Sequence, residues 1–211
     1  MLIEGVVGPQ SKADGAILQP RLTKTGELGV SEVHARYQEA CLRGNTFVAS
    51  SGSVTIVAAN VSPLAAGTGQ PIIGLFNPAG SGKNLVLLAT YTYHASGTPG
   101  GPLLWNVIPA PAGITAAGGA AMNSFTFQTS GSVSKVFANT ALTGSSVATA
   151  ARIIGGPAAI AFGTTPLFAT FFENIEGSSI IPQGAFAGIA AFAAGTSHIV
   201  QAAMTWEEVP A

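Results

Sequence analysis

The sequence predicts a mainly β protein: an antiparallel β-sandwich or jelly roll, preceded by an extended N-terminal arm and one short amphipathic helix. From residue 45 onward, short apolar runs rich in β-branched and aromatic residues are separated by Gly, Pro, Ser, Thr and Asn, at roughly 8–12-residue spacing. Two of these runs, TYTYHA (90–95) and SFTFQT (124–129), alternate with period two, as half-buried antiparallel strands do. A drop in charge density near residue 44 separates this body from the segment before it.

The first 44 residues predict a tether. Residues 1–30 are polar and punctuated by Gly and Pro, which is typical of an extended arm. The next segment, SEVHARYQEACLRG, predicts a helix, with Ser31 as N-cap and Gly44 at the C′ position. Apolar residues at helical spacing give this helix one face that we expect to dock: Val33, Tyr37, Ala40 and Cys41. We therefore divide the chain into a tether, 1–44, and a sandwich body, 45–211.

The body contains a series of segments with strand-like composition. They are SVTIVAA, PIIGLF, NLVLLATYTYHA, LLWNVI, SFTFQT, SKVFANTAL, TAARII, PLFATFF and AMTWEEV. A further segment, GAFAGIAAFAAG (184–195), has the alanine content of a helix. Its short length between glycines, after IIPQ, favours a strand.

Charge is scarce in the body. Charged residues make up 8% of the chain, against roughly 25% in a typical domain, and the net charge is −1. Between residues 44 and 172 the charged residues are Lys83, Lys135 and Arg152 alone. This composition gives no basic surface for nucleic acid and no attraction to an anionic membrane. A hydrophobic fraction of 47% excludes a disordered chain.

The stretch NPAGSGKN (77–84) resembles a nucleotide-binding P-loop at first sight. A P-loop needs G-x-x-x-x-G-K-[ST] between a strand and a helix. Here Asn77 stands at the first glycine, Asn84 stands at the hydroxyl position, and the segment that follows is strand-like. The stretch therefore predicts a turn, and we expect no cofactor.

Few side chains in the body suit acid–base catalysis. His94 and His198 are expected at strand ends, His34 lies on the helix, and no HxH or HxxxH pair supports a metal site. An enzyme would need His94, His198 and Glu173 to meet in space, which the spacing does not indicate. Cys41 is predicted to pack as a small apolar residue. We expect no catalytic, cofactor-binding or metal site.

Three charged residues are candidates for an interface: Arg152, Glu207 and Glu208. Glu207 and Glu208 follow Trp206 in the predicted final strand, where neighbouring side chains point to opposite faces. A place at the rim of the sandwich and pairing with Arg152 or Lys135 both account for the two glutamates.

We expect neither a secretory leader nor a membrane span. The opening MLIEGVVGPQSKADG places Glu4 where a leader carries basic residues, and it has no apolar core. The uncharged stretch 180–206 is interrupted by Pro182 and three glycines, whereas a span needs about 20 mostly apolar residues in a row.

Three stretches resemble structural proteins of tailed bacteriophages: LRGNTFVASSGSVTIVAANVS, GLFNPAGSGKNLVLLATYTY and GSSIIPQGAFAGIAAFAAGTSHIVQAAMTWEEVP. The likeness covers about residues 36–210 and rests on a turn before a long apolar strand and on a closing WEE strand. It implies a β-sandwich or jelly-roll subunit, often trimeric, that cements or decorates a capsid. The implied partner is the major capsid protein or another virion protein, and the implied location is the virion, assembled in the host cytoplasm. It implies no catalytic or binding residues, and residues 1–30 lie outside it.

We therefore expect a non-enzymatic virion protein, a homo-trimeric capsid cement or decoration subunit held by its arm and helix. A monomer keeps apart from its neighbours through surface charge, whereas a permanently assembled subunit carries charge-poor interfaces. One alternative is a tail, fibre-base or head–tail joining component. Another is a carbohydrate- or ligand-binding sandwich, which would present an exposed aromatic platform of Tyr91, Tyr93 and Trp105.

Overall fold

The computed structural model describes residues 36–61, 69–108, 121–129, 131–142, 149–155 and 169–211. The chain divides between Glu39 and Ala40 into two units, and every strand within the described residues lies in the second. Within the described residues the elements are helix α1 (Gln38–Leu42), a 3-10 helix (Ala58–Asn60), β1 (Thr46–Thr55), β2 (Ile73–Phe76), β3 (Lys83–Thr98), β4 (Leu103–Ile108), β5 (Met122–Asn123), β6 (Lys135–Ala138), β7 (Thr149–Gly155), β8 (Ala169–Asn174), β9 (Ile180–Ile181), β10 (Phe186–Ala191) and β11 (Thr196–Pro210).

The strands form two antiparallel sheets. The first has the order β5-β1-β11-β3-β8, with β9 also paired to β3, and the second has the order β6-β2-β10-β4-β7. Apart from the short β5, β6 and β9, early strands pair with late ones: β1 with β11, β2 with β10, β3 with β8 and β4 with β7. This pairing of early with late strands is that of a jelly roll, in which one long hairpin is folded over into two sheets. The predicted antiparallel β-sandwich is confirmed, and the predicted arm, residues 1–30, lies outside the described residues.

The main core lies between the two sheets. The largest side chain in it is Trp206, which is fully buried and stacks on Phe47 at 6.2 Å between ring centroids. Strands β3 and β11 contribute alternate residues to this core, such as Leu85, Leu87 and Met204. The period-two pattern of both strands thus brings one face of each against the second sheet.

Two strands of the second sheet, β2 and β10, are buried on both faces. Strand β10 lies within GAFAGIAAFAAG, as predicted, and all six of its residues are buried. Its inward side chains join the main core, and its outward ones join a second cluster. That cluster comprises Phe76, Phe137, Leu142, Phe186 and Ala190. A strand buried on both faces needs a continuous apolar sequence rather than an alternating one, which explains its alanine-rich composition.

Two glycines make room for the Phe186 ring in this outer cluster. Gly74 and Gly188 are paired across β2 and β10. A Cβ atom on Gly74 would lie 2.3 Å from Cζ of Phe186, whereas one on Gly188 would meet its nearest atom, the Ile73 carbonyl oxygen, at 3.0 Å. The ring therefore lies directly over Gly74.

We expect Gly74→Ala to destabilise the protein by about 1–3 kcal/mol, because the added methyl group overpacks the cluster. Without a clash, the lower entropy of the unfolded chain would instead stabilise the variant by about 0.4–1 kcal/mol. Thermal and denaturant unfolding measure the difference. Gly188→Ala is the matched variant with the looser contact and should lose less. Unchanged or increased stability of Gly74→Ala would contradict this packing.

The described helix ends where the sequence predicts. Gly44 has φ of 72° and donates from its amide to the Cys41 carbonyl at 2.9 Å, while the Asn45 amide donates to the Ala40 carbonyl at 3.0 Å. These two hydrogen bonds form a Schellman motif, which requires a left-handed residue at C′. The described helix is shorter than predicted, since Arg36 and Tyr37 form a turn. Ser31 and Val33 lie outside the described residues.

The prediction of a strand at SFTFQT is wrong. Strand β5 ends at Asn123, and the next residues form a turn. The Asn123 side-chain oxygen accepts hydrogen bonds from the amides of Phe125 and Thr126 at 2.9 and 3.1 Å. A side chain that captures the next amides offers the backbone an alternative to a ladder, and here it overrides the alternating pattern.

Candidate functional site

The stretch NPAGSGKN is a turn between β2 and β3, as predicted. Asn77 at its start is fully buried, and its amide nitrogen donates to the carbonyls of Lys83 and Ile181 at 2.9 and 3.0 Å. Its side-chain oxygen accepts from the Ser81 hydroxyl at 2.7 Å. Asn77 therefore closes the turn on itself and fastens it to β9. No helix follows Lys83, because β3 begins there, so the geometry of a P-loop is absent.

His94 and His198 meet inside the sandwich although 104 residues separate them. Nδ1 of His94 lies 2.7 Å from Nε2 of His198, and the rings stack at 4.9 Å with an angle of 13°. Both side chains are almost fully buried, at 2% and 1% exposure. The edge of this stack contacts Phe171, whose ring is tilted 83° to that of His94. The pairing of β3 with β11 brings the two histidines together.

The histidine pair is held in the neutral state. Burial, and then the charge of His198, lower the pKa of His94 to about 4, and burial lowers the pKa of His198. The two outer ring nitrogens, Nε2 of His94 and Nδ1 of His198, have no hydrogen-bond partner among the described residues. A single proton links the two rings, so either tautomer leaves one donor and one acceptor unpartnered.

Glu173, the third residue that an enzyme would need, does not join this pair. Glu173 is paired with Thr90, and the partner of His94 on β8 is Ala169. Four residues along a strand span about 13 Å. Within the described part of the chain, no group of three His, Cys, Asp or Glu side chains could hold a metal ion.

Glu207 and Glu208 point to opposite faces, as the sequence predicts. Glu208 is 2% exposed, and its carboxylate accepts hydrogen bonds from the Ser132 hydroxyl at 2.6 Å and from the amide of Val133 at 3.1 Å. It holds the loop before β6, and a side chain this buried is not available to another subunit. Glu208 is therefore excluded as an interface residue.

The other candidate contact residues lie at two places. Glu207 is half-buried in β11, and Arg152 is paired through its backbone with Trp105, its side chain lying outside the described part. Tyr37, Ala40 and Cys41 are each half-buried around α1, with Cys41 a free thiol. Val33, the fourth member of the predicted docking face, lies outside the described residues.

The outer face of the first sheet carries an aromatic platform, which we define as Tyr91, Tyr93 and Phe172. Tyr91 and Phe172 are paired across β3 and β8, are 42% and 56% exposed, and pack with ring centroids 4.9 Å apart. Tyr91 and Tyr93 were predicted for such a platform, and Phe172 was missed. The side chain of Trp105, the third predicted member, lies outside the described residues.

A second exposed aromatic feature is the turn that follows β5. Phe125 and Phe127 are 53% and 75% exposed, and Met122 just before them is 40% exposed. Phe127 has φ of 56°, a left-handed conformation that non-glycine residues rarely adopt. The Asn123 carbonyl accepts the Phe127 amide at 2.9 Å and stabilises this conformation. The sequence signal that could have located the turn is Asn123, a residue that favours Asx turns.

No family model, curated protein or solved structure matches the chain. Of the helices in the described residues, none is long and apolar enough to cross a membrane.

Proposed function

We propose that the protein is a non-enzymatic structural subunit of a virion, a capsid cement or decoration protein that acts as a homo-trimer. The observation that carries the proposal is a charge-poor jelly roll that exposes large apolar side chains on a strained turn. The body has only three charged residues between positions 44 and 172. A surface with so little charge favours association with another protein over a separate existence in solution.

The turn with Phe125 and Phe127 is the contact that we assign to the neighbouring subunit. Single exposed apolar residues are ordinary, but Met122, Phe125 and Phe127 lie within six residues of one another. Left-handed backbone at a non-glycine residue costs on the order of 1 kcal/mol or more, and it persists where the surroundings or a function require it. Here it presents an aromatic ring to solvent, which supports a binding role.

The jelly roll and the tether support the location in a shell. Jelly rolls are a recurrent architecture of viral capsid domains, and they also occur in proteins of other functions. The arm and helix would bind the major capsid protein or another virion protein, with Tyr37, Ala40 and Cys41 as the described part of the docking face. Leu42, the last residue of α1, is also exposed, at 49%.

We expect the full-length chain to have a native mass three times its 21.0 kDa in size-exclusion chromatography with light scattering. The mass should persist in high salt, because apolar contacts are not screened. The double variant Phe125→Ser, Phe127→Ser should run as a folded monomer. Ile180→Ser, which changes a side chain of 54% exposure elsewhere, should remain trimeric. A monomeric wild-type protein would contradict the trimer and favour a tail or joining component.

The tether is tested separately by sedimentation with purified capsid shells. A variant that begins at Gly44 retains the carbonyl that accepts from the Asn123 side chain at 2.7 Å, so the body keeps this contact. We expect that variant to stay in the supernatant while the full-length chain sediments with the shells. Sedimentation of both would assign shell binding to the body instead of the tether.

A further inference from the structure

Strand β3 buries polar side chains and exposes an aromatic one, the reverse of what burial of apolar surface favours. Thr90, Thr92 and His94 point into the sandwich with 1%, 2% and 2% exposure, whereas Tyr91 points outward. A shift of one residue would bury the tyrosines and expose the threonines and the histidine, which apolar burial alone would favour. The outward tyrosines therefore suggest a role on the surface itself.

A shallow depression of about 180 Å³ lies beside these tyrosines on the outer face of the first sheet. Its walls include Tyr91 and Tyr93, together with small or flexible residues such as Gly52, Thr170, Gln201 and Ala203. This volume lies below the roughly 300–1,000 Å³ of pockets for drug-sized ligands, so the depression suits one small ring.

A β-bulge forms the rim of this depression opposite β11. Ser50 pairs with Ala203 and Ser53 pairs with Gln201, so Ser51 and Gly52 face the single residue Ala202. The Ser51 hydroxyl accepts the Ala202 amide at 2.9 Å, and Gly52 has φ of 65° with open space where a Cβ would lie. Bulges of this kind often re-aim side chains beside binding sites.

The chemistry around the depression is entirely neutral. None of the described residues that line it is charged, and the polar side-chain groups they offer are hydroxyls and an amide. The Gln201 amide donates to the Ser53 hydroxyl at 2.9 Å, which orients its oxygen and nitrogen at the rim. Aromatic faces beside neutral groups that both donate and accept hydrogen bonds match the alternating C–H and O–H surface of a sugar ring.

We propose that this depression binds one ring of an uncharged saccharide, stacked on Tyr91 and hydrogen-bonded by Gln201 and the neighbouring hydroxyls. Phe172 is not among the residues that line the depression, and its ring packs against that of Tyr91 at 4.9 Å with an angle of 41°. Because only one sugar ring would stack on the aromatic platform, we expect weak binding, with a dissociation constant on the order of 1 mM. The site stands independently of the virion assignment, since it uses none of the tether or the Phe127 turn.

Saturation-transfer NMR on the full-length protein with maltose, cellobiose, lactose and chitobiose, each at up to about 10 mM, tests the proposal. We expect at least one to bind, and Tyr91→Ala to weaken it about 10-fold or more. Ala203→Val fills the depression while retaining both tyrosines and should weaken binding similarly. Phe192→Ala, a change at a ring of 58% exposure outside the depression, should bind as wild type does.

Three results would overturn the proposal. The first is that none of the four sugars binds. The second is that Tyr91→Ala or Ala203→Val, folded by circular dichroism, binds as tightly as the wild type. The third is that Tyr91→Ala lowers the native mass, which would make this face an interface between copies of the chain.

Discussion

Asn77→Asp is expected to lower the free energy of unfolding by about 3–5 kcal/mol. The Asn77 side chain is fully buried, and its amide nitrogen donates to the carbonyls of Lys83 and Ile181. A carboxylate of the same shape would face both oxygens without a hydrogen to donate. Each carbonyl left without a donor costs about 1–3 kcal/mol, and a buried unpaired charge adds to this. The loss is large beside a total stability of roughly 5–15 kcal/mol.

Denaturant unfolding at pH 7, followed by tryptophan fluorescence, measures this loss. Asn77→Ala removes the same two donors without adding charge, so it should lose less than Asn77→Asp. Asn84→Asp is the matched control, because it makes the same change at a half-buried position at the start of β3. A loss below about 1 kcal/mol for Asn77→Asp would mean that the turn does not depend on the buried amide.

The second large effect is acid destabilisation through the histidine pair. The unfolded chain protonates its histidines below pH 6.5, whereas His94 in the folded protein resists protonation until pH about 4. The unfolded state therefore binds more protons across this window, and stability falls as the pH falls. With 1.36 kcal/mol for each pKa unit, His94 accounts for a loss of up to about 3 kcal/mol. His198, whose pKa is also lowered, adds in the same direction.

Unfolding free energies measured at several values between pH 7 and pH 4 test this effect. His94→Phe keeps a ring in the stack and removes its titration, so its stability should fall less steeply with acid than that of the wild type. The difference between the two slopes isolates the histidine from the carboxylates, which titrate in both proteins. Parallel slopes would show that His94 does not stay neutral in the folded state.

Local patterns in the sequence were sufficient to predict most of the secondary-structure elements. The turn at NPAGSGKN, the C′ role of Gly44, the strand at Phe186–Ala191 and the opposite orientation of Glu207 and Glu208 were all predicted. Each depends on residues within a few positions of one another. Hydrogen-bond geometry and side-chain period act at that range, so a single sequence carries the information. The failure at SFTFQT is also local, because the Asx turn of Asn123 competes with its strand pattern.

The tertiary structure alone decided which residues meet and which face of each strand is covered. An alternating pattern marks two faces of β3 but does not say that Thr92 and His94 go inside while Tyr91 stays exposed. The partners of His94, Asn77 and Glu208 lie 104, 104 and 76 residues away. Such contacts depend on strand order and register, which follow from the packing of the whole sandwich. For that reason the sequence by itself determined a charge-poor body of antiparallel strands, a β-sandwich or jelly roll. The folded chain was needed to show the jelly-roll pairing and to locate the buried histidine pair and the aromatic platform.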